Sequence, residues 1–508
     1  MRIAIRSDSG TWVGGGHVMR CLSLAMAARD AGHSVRFISA DVKGHLGDRI
    51  SQAGFDTSWI SPLGPETPAG DIESWRPMPL DMDAAQTAAD LSDFAPDWLI
   101  LDHYGLGGTW VKQMRATLPD LKILALDDLD REPLFADLLL NPAAFPDTKI
   151  RQDHMAMLKG PRYALLRPEF RALRPDALKR RGGDVEKVLI LPGMVDNLGF
   201  AETVLTALAS FPDLLVEVVM GSQSPSVEKV SSLIQDNPNW RLTLDAFDMA
   251  QRLLRADLCI GAGGVSAWER CCLGLPAVNI ALAKNQRPGV QAIANFGAAG
   301  GLNVDALQDP DQIAMALRAV IENYGSLSER AAELCDGAGA ARVIAAMSGQ
   351  LRAVTQADAR LIFDWRNQDH IREASSNSAP LIWENHVSYL KKVLADPTQN
   401  QWMIYQESGK DLGLVNANRH PDGFWEWGFY LGAQDAPKGA GRRMLCQFLR
   451  HLCKTEAFAG VRAVVLSDNH RSRHLHEALG FLVESDKASN ELRLHLSAKT
   501  LHERLGTS

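Results

Sequence analysis

The sequence lacks long hydrophobic runs, blocks of like charge and paired cysteines. No window approaches the roughly 20 consecutive apolar residues of a membrane helix, and the N-terminus leads straight into a strand pattern without a secretory stretch. The net charge of -8 is spread over 508 residues, and the seven cysteines form no CxxC pair. These absences argue against membranes and nucleic acid as partners and favour reduced thiols in a cytoplasmic protein. We therefore expect a cytoplasmic enzyme that acts on small molecules.

Two patterns of strands and helices divide the chain into three domains. In residues 1–166, short apolar strands alternate with amphipathic helices, which is typical of a parallel sheet covered on both faces. A Pro/Arg-rich stretch at 167–183 interrupts the alternation and is predicted to be an interdomain linker. The alternation resumes over 184–350, which predicts a second doubly wound domain. Residues 352–497 differ in composition and pattern and are predicted to form an α+β domain.

A glycine-rich turn, Gly14-Gly15-Gly16-His17, lies between the first predicted strand and the first helix. Glycines let the backbone approach a ligand, and amides at a helix start favour an anion such as a phosphate. Histidine is the side chain suited to taking a proton from water near neutral pH. His17 is therefore predicted to be a catalytic base, with Gly14, Gly16 and Arg20 in contact with the substrate. A tight turn with a helix-capping histidine is the alternative.

Polar side chains also follow two later strands of the first domain. They are Asp102, His103 and Tyr104 after one strand and Asp127 and Asp128 after another. The carboxyl ends of parallel strands meet at one edge of a sheet, where open α/β sheets bind ligands. The five residues are predicted to bind the substrate beside the glycine turn.

The second domain carries a second glycine turn before a helix. Its predicted substrate-binding residues are Gly263, Gly264, Ser266, Glu269, Asn285 and Gln286. Ser266 is placed as a cap or phosphate donor, and the carboxylate of Glu269 could accept hydrogen bonds from both hydroxyls of a ribose. The alternative is a capping box, because Ser266 and Glu269 have the S-x-x-E spacing.

Several motifs in a fixed order make residues 1 to about 348 resemble a known family. These motifs are GxGHxxR, DHYG, DDL, LLLN and GAGGxSxWERCCLGLP. They resemble the UDP-sugar hydrolases of pseudaminic acid biosynthesis, which release 2,4-diacetamido-2,4,6-trideoxy-L-altrose from UDP. The resemblance implies a GT-B-like pair of doubly wound domains, a water activated by His17, attack at the anomeric carbon and no metal.

The third domain contains a glycine turn followed about 30 residues later by an N-x-x-S…LGF segment. The predicted cofactor-binding residues are Lys438, Gly439, Gly441, Arg442, Asn469 and Ser472. Together these segments resemble the GNAT acetyltransferases, which implies acetyl-CoA as co-substrate. Trp365 and Arg366 look like substrate residues of the subgroup that acetylates the 4-amino group of a UDP-amino sugar. His476 occupies the position where many relatives place a tyrosine acid; a buried or cofactor-packing histidine is the alternative.

The leading interpretation is a bifunctional enzyme, a monomer or weak homodimer, that N-acetylates a UDP-4-amino-4,6-dideoxy sugar and then hydrolyses the product. The other interpretation is a GT-B glycosyltransferase, in which an acceptor hydroxyl replaces water, with an appended non-catalytic GNAT-like binding domain. The hypothesis of a non-catalytic third domain is motivated by a departure from the GNAT pattern. Ala436 stands where relatives have arginine or glutamine.

Overall fold

The computed structural model describes residues 1–63, 76–129, 132–143, 156–193, 195–375, 377–407, 410–484 and 491–505. Within these residues the chain forms three sheets, each covered by helices. None of the described helices combines the length and the apolar character that crossing a membrane requires.

The first domain is a seven-stranded parallel sheet with the order β3-β2-β1-β4-β5-β6-β7. Its strands are β1 Arg2–Ser7, β2 Ser34–Ala40, β3 Asp56–Ile60, β4 Trp98–Asp102, β5 Lys122–Leu126, β6 Leu138–Asn141 and β7 Met157–Lys159, and its helices are α1 Gly16–Asp30, α2 Gly47–Gln52, α3 Leu80–Leu91 and α4 Gly108–Thr117. Strands β1, β4, β5 and β6 are almost wholly buried because apolar residues run through them without alternation, as expected of a sheet covered on both faces.

The predicted linker at 167–183 is wrong, because most of it is the helix α5, Pro168–Arg180. Proline at the first helical position has no N–H to lose and a φ suited to a helix. Phe170 is fully buried, and Arg174 donates a hydrogen bond to the carbonyl oxygen of Cys335 at 2.9 Å. The helix is therefore a packed part of the second domain.

The second domain is a six-stranded parallel sheet with the order β10-β9-β8-β11-β12-β13. Its strands are β8 Lys187–Gly193, β9 Leu215–Met220, β10 Trp240–Leu244, β11 Leu258–Ala262, β12 Ala277–Ala281 and β13 Gly300–Asn303. The helices are α6 Phe200–Leu208, α7 Val227–Gln235, α8 Met249–Arg255, α9 Ser266–Cys272, α10 Arg287–Asn295, α11 Pro310–Glu322, α12 Tyr324–Leu334 and α13 Gly339–Met347. The last of them, α13, packs back against α1, so the compact first domain includes a helix from beyond residue 166.

The third domain is a mixed seven-stranded sheet with the order β14-β15-β16-β17-β18-β20-β19, in which only β17 and β18 pair in parallel. Its strands are β14 Gln350–Ala353, β15 Asn400–Glu407, β16 Lys410–Arg419, β17 Phe424–Leu431, β18 Gly460–Leu466, β19 Leu482–Glu484 and β20 Glu491–Ser497. The helices are α14 Ala359–Arg366, α15 Asp369–Glu373, α16 Trp383–Leu394, α17 Ala440–Leu452, α18 His470–Leu479 and α19 Ala498–Leu505.

The third domain is fixed to the first rather than tethered to it. One buried apolar cluster runs through the first domain, α13 and the third domain. Gly349 lies at the junction, where a Cβ atom would stand 2.3 Å from the hydroxyl of Tyr405, so only glycine fits. Arg450 of α17 also lies 3.2 Å from the buried carboxylate of Asp137 at the start of β6. The two domains therefore share a core and an ion pair.

Candidate active sites

A cleft of about 740 Å³ lies between the two doubly wound domains. The first domain lines it with Gly16, His17, Arg20, His103, Tyr104, Asp128 and Asn141, and the second with Gly263, Gly264, Val265, Lys284 and Gln286. The carboxyl ends of β4, β5 and β6 and the start of α1 thus meet at one wall, as the sequence predicts. The glycine turn before α9 forms part of the opposite wall.

His17 stands in the first turn of α1, and its ring is oriented by Asp102 at the end of β4. Nδ1 of His17 lies 2.6 Å from Oδ1 of Asp102, whose side chain is fully buried. A carboxylate can only accept, so in the neutral form of the ring the N–H is on Nδ1 and donates a hydrogen bond to Asp102. The other nitrogen, Nε2, then carries a lone pair. This arrangement gives a histidine base a defined tautomer, the same logic by which a carboxylate orients the histidine of a catalytic triad.

Arg20 holds the carboxylate that orients His17. Its guanidinium donates two hydrogen bonds to Asp102, each 2.6 Å long, and a third to Asp128 at 2.7 Å. Burial alone would raise the pKa of Asp102, but Arg20 and His17 hold that pKa well below its usual range. Asp102 therefore stays ionised. It lies behind His17 and outside the cleft lining, so its predicted contact with the substrate is corrected to a hydrogen bond that orients His17.

Tyr104 packs beside the base on the cleft wall. Its ring meets that of His17 edge to face, with centroids 4.6 Å apart. Its hydroxyl donates to Oδ2 of Asp128 at 3.3 Å. Burial and the charge of Asp128 raise the pKa of Tyr104, so the phenol stays neutral and available as a hydrogen-bond donor.

A second layer of buried polar residues supports this wall: His103 was predicted from the sequence, whereas Arg6, Asp8 and Asp83 were not. His103 accepts a hydrogen bond at Nδ1 from the backbone N–H of Gly105, at 3.0 Å, and its Nε2 lies 3.0 Å from Asp8. Arg6 in turn pairs with both Asp8 and Asp83. The only sequence signal for this layer is the run of polar residues at the end of β1. Asp83 lies in a helix, and nothing in the local sequence indicates its role.

Two predicted residues serve the turns and do not line the cleft. Asp127 is buried, and its Oδ1 accepts a hydrogen bond from the backbone N–H of Leu129 at 3.0 Å, which stabilises the turn after β5. Gly14 has a φ of +79°, which favours glycine, and pairs with Gly10. Their predicted contacts with the substrate are therefore corrected to structural roles.

The second domain presents an open backbone at its glycine turn. A Cβ atom at Gly263 would stand 2.1 Å from Val290, so that position requires glycine, whereas nothing lies within 4 Å of one at Gly264. Gln286 lines the cleft, although its side-chain oxygen accepts from the backbone N–H of Leu282 at 2.9 Å. Asn285 belongs to a short 3-10 helix, and its side chain lies outside what the structure describes.

The capping box proposed for Ser266 and Glu269 is wrong. Ser266 is already the first helical residue of α9, the cap position belongs to Val265, and no side chain caps the helix. The hydroxyl of Ser266 instead accepts from Arg270 at 3.2 Å. Glu269 lies 3.7 Å from Arg167, and burial raises its pKa. Neither residue is part of the cleft lining, so their nucleotide contacts stay predictions.

A second site opens in the third domain where two strands separate. The pairing of β17 with β18 ends at Trp427 and Ala463, although the strands continue to Leu431 and Leu466. A groove of about 1060 Å³ occupies the gap. The predicted cofactor residues all line it: Lys438, Gly439, Gly441, Arg442, Asn469 and Ser472.

His476 is not placed as an acid. Its side chain is buried, its Nδ1 hydrogen-bonds the carbonyl oxygen of Ser472 at 2.8 Å, and its Nε2 accepts from the indole of Trp427 at 3.1 Å. Both ring nitrogens are thus engaged within the protein. Burial also lowers its pKa, which favours the neutral ring. The prediction of a catalytic His476 is therefore corrected to the alternative of a packing histidine.

The predicted substrate residues Trp365 and Arg366 lie in different environments. Trp365 is buried and packs against Gly432. A Cβ atom at position 432 would stand 2.1 Å from the indole, so Trp365 belongs to the core. Arg366 lines both the groove and a neighbouring pocket of about 390 Å³. It donates to the carbonyl oxygen of Asn377 at 2.7 Å. Only Arg366 of the two can contact an acceptor.

Comparison with known proteins finds similarity in both parts of the chain. Residues 350–482 match the Acetyltransferase (GNAT) domain family. The chain is 28% identical over 259 residues to the spore coat polysaccharide biosynthesis protein SpsG of Bacillus subtilis (strain 168), across 49% of this chain and 75% of that protein. It is 23% identical over 516 residues to the protein MJ1062 of Methanocaldococcus jannaschii, across 97% of this chain and 99% of the other.

The fold and its sites therefore define a GT-B-like pair of doubly wound domains joined to a GNAT acetyltransferase domain. The chain is also 23% identical over 310 residues to the UDP-2,4-diacetamido-2,4,6-trideoxy-beta-L-altropyranose hydrolase of Campylobacter jejuni, across 58% of this chain and 97% of that enzyme. It is a homologue of that hydrolase with a C-terminal GNAT domain, which confirms the resemblance stated from the sequence.

Proposed function

We propose that the chain catalyses two consecutive reactions of pseudaminic acid biosynthesis. The GNAT domain transfers an acetyl group from acetyl-CoA to the 4-amino group of a UDP-4-amino-4,6-dideoxy-N-acetylhexosamine. The cleft then hydrolyses UDP-2,4-diacetamido-2,4,6-trideoxy-beta-L-altropyranose to the free sugar and UDP. The observation that carries the hydrolase assignment is the pairing of His17 with the buried carboxylate of Asp102 at the cleft wall.

In the hydrolysis, Nε2 of His17 takes a proton from a water molecule. The water oxygen forms a bond to the anomeric carbon, and the bond from that carbon to the UDP oxygen breaks with its electron pair leaving on UDP. Asp102 stabilises the imidazolium that forms and holds the ring in place. The open backbone at Gly264 on the opposite wall would hold the diphosphate, and the sugar would then lie beside His17.

In the acetylation, the amine nitrogen of the sugar attacks the thioester carbonyl carbon of acetyl-CoA. A C–N bond forms, the C–S bond breaks, and CoA leaves as a thiolate that takes up the proton released by the amine. Gly439, with a φ of +86°, directly precedes α17, and Gly441 is the second residue of that helix. Backbone amides at this helix start would hold the pyrophosphate. The product is the substrate of the cleft, so joining the domains raises its local concentration there.

Incubating the purified chain with the UDP-diacetamido sugar and no acceptor tests the hydrolase. Release of free sugar and UDP is the expected result. If UDP appears only when an acceptor alcohol is added, the cleft is that of a glycosyltransferase. Incubation with acetyl-CoA and the 4-amino sugar nucleotide tests the other domain, with mass spectrometry as the readout. An unchanged mass would identify that domain as a non-catalytic binding module.

We further propose that the chain works in the cytoplasm as a monomer or weak homodimer. The cysteines among the described residues are free thiols, and all but Cys453 are buried. Reduced thiols of this kind are typical of cytoplasmic proteins.

A further inference from the structure

Two buried oxygen atoms on the cleft wall have no hydrogen-bond partner within the part of the protein that the structure describes. They are Oδ1 of Asp128 and Oδ1 of Asn141. Asn141 is only 3% exposed and ends β6, while Asp128 follows the neighbouring strand β5. Both residues line the cleft. Asn141 was not among the predicted site residues, although its segment is part of the motif that carried the family resemblance.

The free oxygen of Asp128 is held in a fixed direction. Its other oxygen, Oδ2, accepts from Arg20 at 2.7 Å and from the hydroxyl of Tyr104 at 3.3 Å. Tyr104 in turn packs against the ring of His17. The carboxylate is therefore bonded to two residues that both contact His17, and it cannot turn away without losing both bonds. Buried hydrogen-bond acceptors without partners are rare, because leaving such an acceptor without a hydrogen bond costs free energy. Two of them on residues that line one cleft indicate donors on a ligand.

The position of the pair selects the part of the ligand that supplies these donors. The diphosphate offers no N–H or O–H group when ionised and is repelled by a carboxylate, so it does not fit here. The substituents of the sugar ring lie around the anomeric carbon, which must stand near His17. An acylated amino group carries one N–H donor of the required kind.

We propose that Asp128 and Asn141 form a subsite that accepts hydrogen bonds from the acylamino N–H groups of the sugar. The inference rests on the proposed hydrolysis for the identity of the ligand. It adds to that proposal the protein atoms that accept hydrogen bonds from the acetylated product.

Binding in a His17→Ala background tests the subsite while the ligand stays intact. The probes are the UDP-2,4-diacetamido sugar and two analogues in which one acetamido group is replaced by acetoxy, which has nearly the same shape but no N–H. Isothermal titration should show that at least one analogue binds roughly 10- to 100-fold more weakly, the range expected for an unpaired buried acceptor. Adding Asn141→Leu or Asp128→Leu should abolish the penalty of one analogue, giving equal affinities.

Two further measurements separate folding defects from recognition. Asn141→Ala and Asp128→Ala should also abolish the penalty, and acetyl transfer by the intact third domain reports whether each variant is folded. Asn323→Leu, at an exposed position after α11, is the matched control and should keep the full penalty.

Equal binding of all three probes to the His17→Ala protein would overturn the subsite, and so would a penalty that persists in the variants at both positions. Failure of the wild-type chain to release UDP, with the binding ratios as expected, would instead contradict the proposed hydrolysis and leave the subsite standing.

Discussion

Replacing Asp102 by asparagine removes the charge that orients the base while nearly preserving its shape. The carboxylate receives hydrogen bonds on both oxygens, from His17 and Arg20 on Oδ1 and from Arg20 on Oδ2. An amide has only one accepting oxygen, so its NH₂ group must face either His17 or Arg20. In the first case the proton of the ring moves to Nε2 and the base is lost. In the second case, the NH₂ group faces an N–H group of Arg20, so two donors face each other and that hydrogen bond is lost.

The substitution should lower both the rate of UDP release and the stability of the chain. A positioned general base contributes about 100- to 10,000-fold to a rate, which corresponds to about 3–5.5 kcal/mol of activation free energy. We expect kcat for UDP release by Asp102→Asn to fall within that range. Breaking a buried ion pair by removing one partner also destabilises a protein by about 3–5 kcal/mol, so the melting temperature should fall.

The stability effect should depend on pH with a definite sign. The pKa of Asp102 lies below its usual range in the folded chain, so its contribution is fully present above the ordinary value of about 3.9 and is lost as pH falls through the folded value. The difference in melting temperature between wild type and Asp102→Asn should therefore be largest near neutral pH and narrow on acidification below about pH 4.

UDP release and calorimetric melting measure these effects, and acetyl transfer by the same preparation serves as the control for folding. An Asp102→Asn chain with kcat within about threefold of wild type would refute the reasoning, because the contribution of a general base is far larger. A melting difference that widens on acidification would refute the assignment of the pKa shift.

Four further substitutions test the remaining assignments. His17→Ala should abolish UDP release and leave acetyl transfer unchanged in parallel assays; loss of both would argue against independent centres. Gly441→Trp should fill the groove and abolish acetyl-CoA binding by calorimetry while the acetylated substrate is still hydrolysed, whereas retained binding would show that the cofactor loop is misplaced. His476→Phe should keep acetyl transfer within about fivefold, and a fall of about 100-fold or more would restore the acid role. Arg443→Met removes the ion-pair partner of the buried Glu407, which keeps only the hydrogen bond from the hydroxyl of Tyr405, and should destabilise the chain by about 3–5 kcal/mol in chemical denaturation; unchanged stability would contradict the buried pair.

The architecture was largely predictable because alternating apolar strands and amphipathic helices specify parallel sheets locally. The strand–helix order of the first two domains and the α+β character of the third are confirmed. The stretch at 167–183 was misjudged because proline and arginine were read as linker residues, whereas Pro168 begins a helix and the arginines bond to buried carbonyl groups. The return of α13 to the first domain is a long-range contact that no local pattern encodes.

The site was predictable to the level of strand ends but not of individual side-chain directions. Asp127 and Asp128 are adjacent, yet one stabilises a turn and the other faces the cleft. That difference depends on the turn geometry after β5. His476 was misassigned because its partner, Trp427, is on a strand far away in the sequence. Asn141 could have been found, since a polar residue ends an apolar strand in the same way as the residues that were predicted.

Hydrolysis in H₂¹⁸O tests most directly the claim that water activated by His17 attacks the anomeric carbon. The chain is incubated with the UDP-diacetamido sugar and no acceptor, and the released UDP is analysed by mass spectrometry. Cleavage of the bond between the anomeric carbon and oxygen leaves the bridging oxygen on UDP, so UDP should be released without label at a rate that His17→Ala abolishes. Labelled UDP, or no release at all without an added acceptor, would contradict the account.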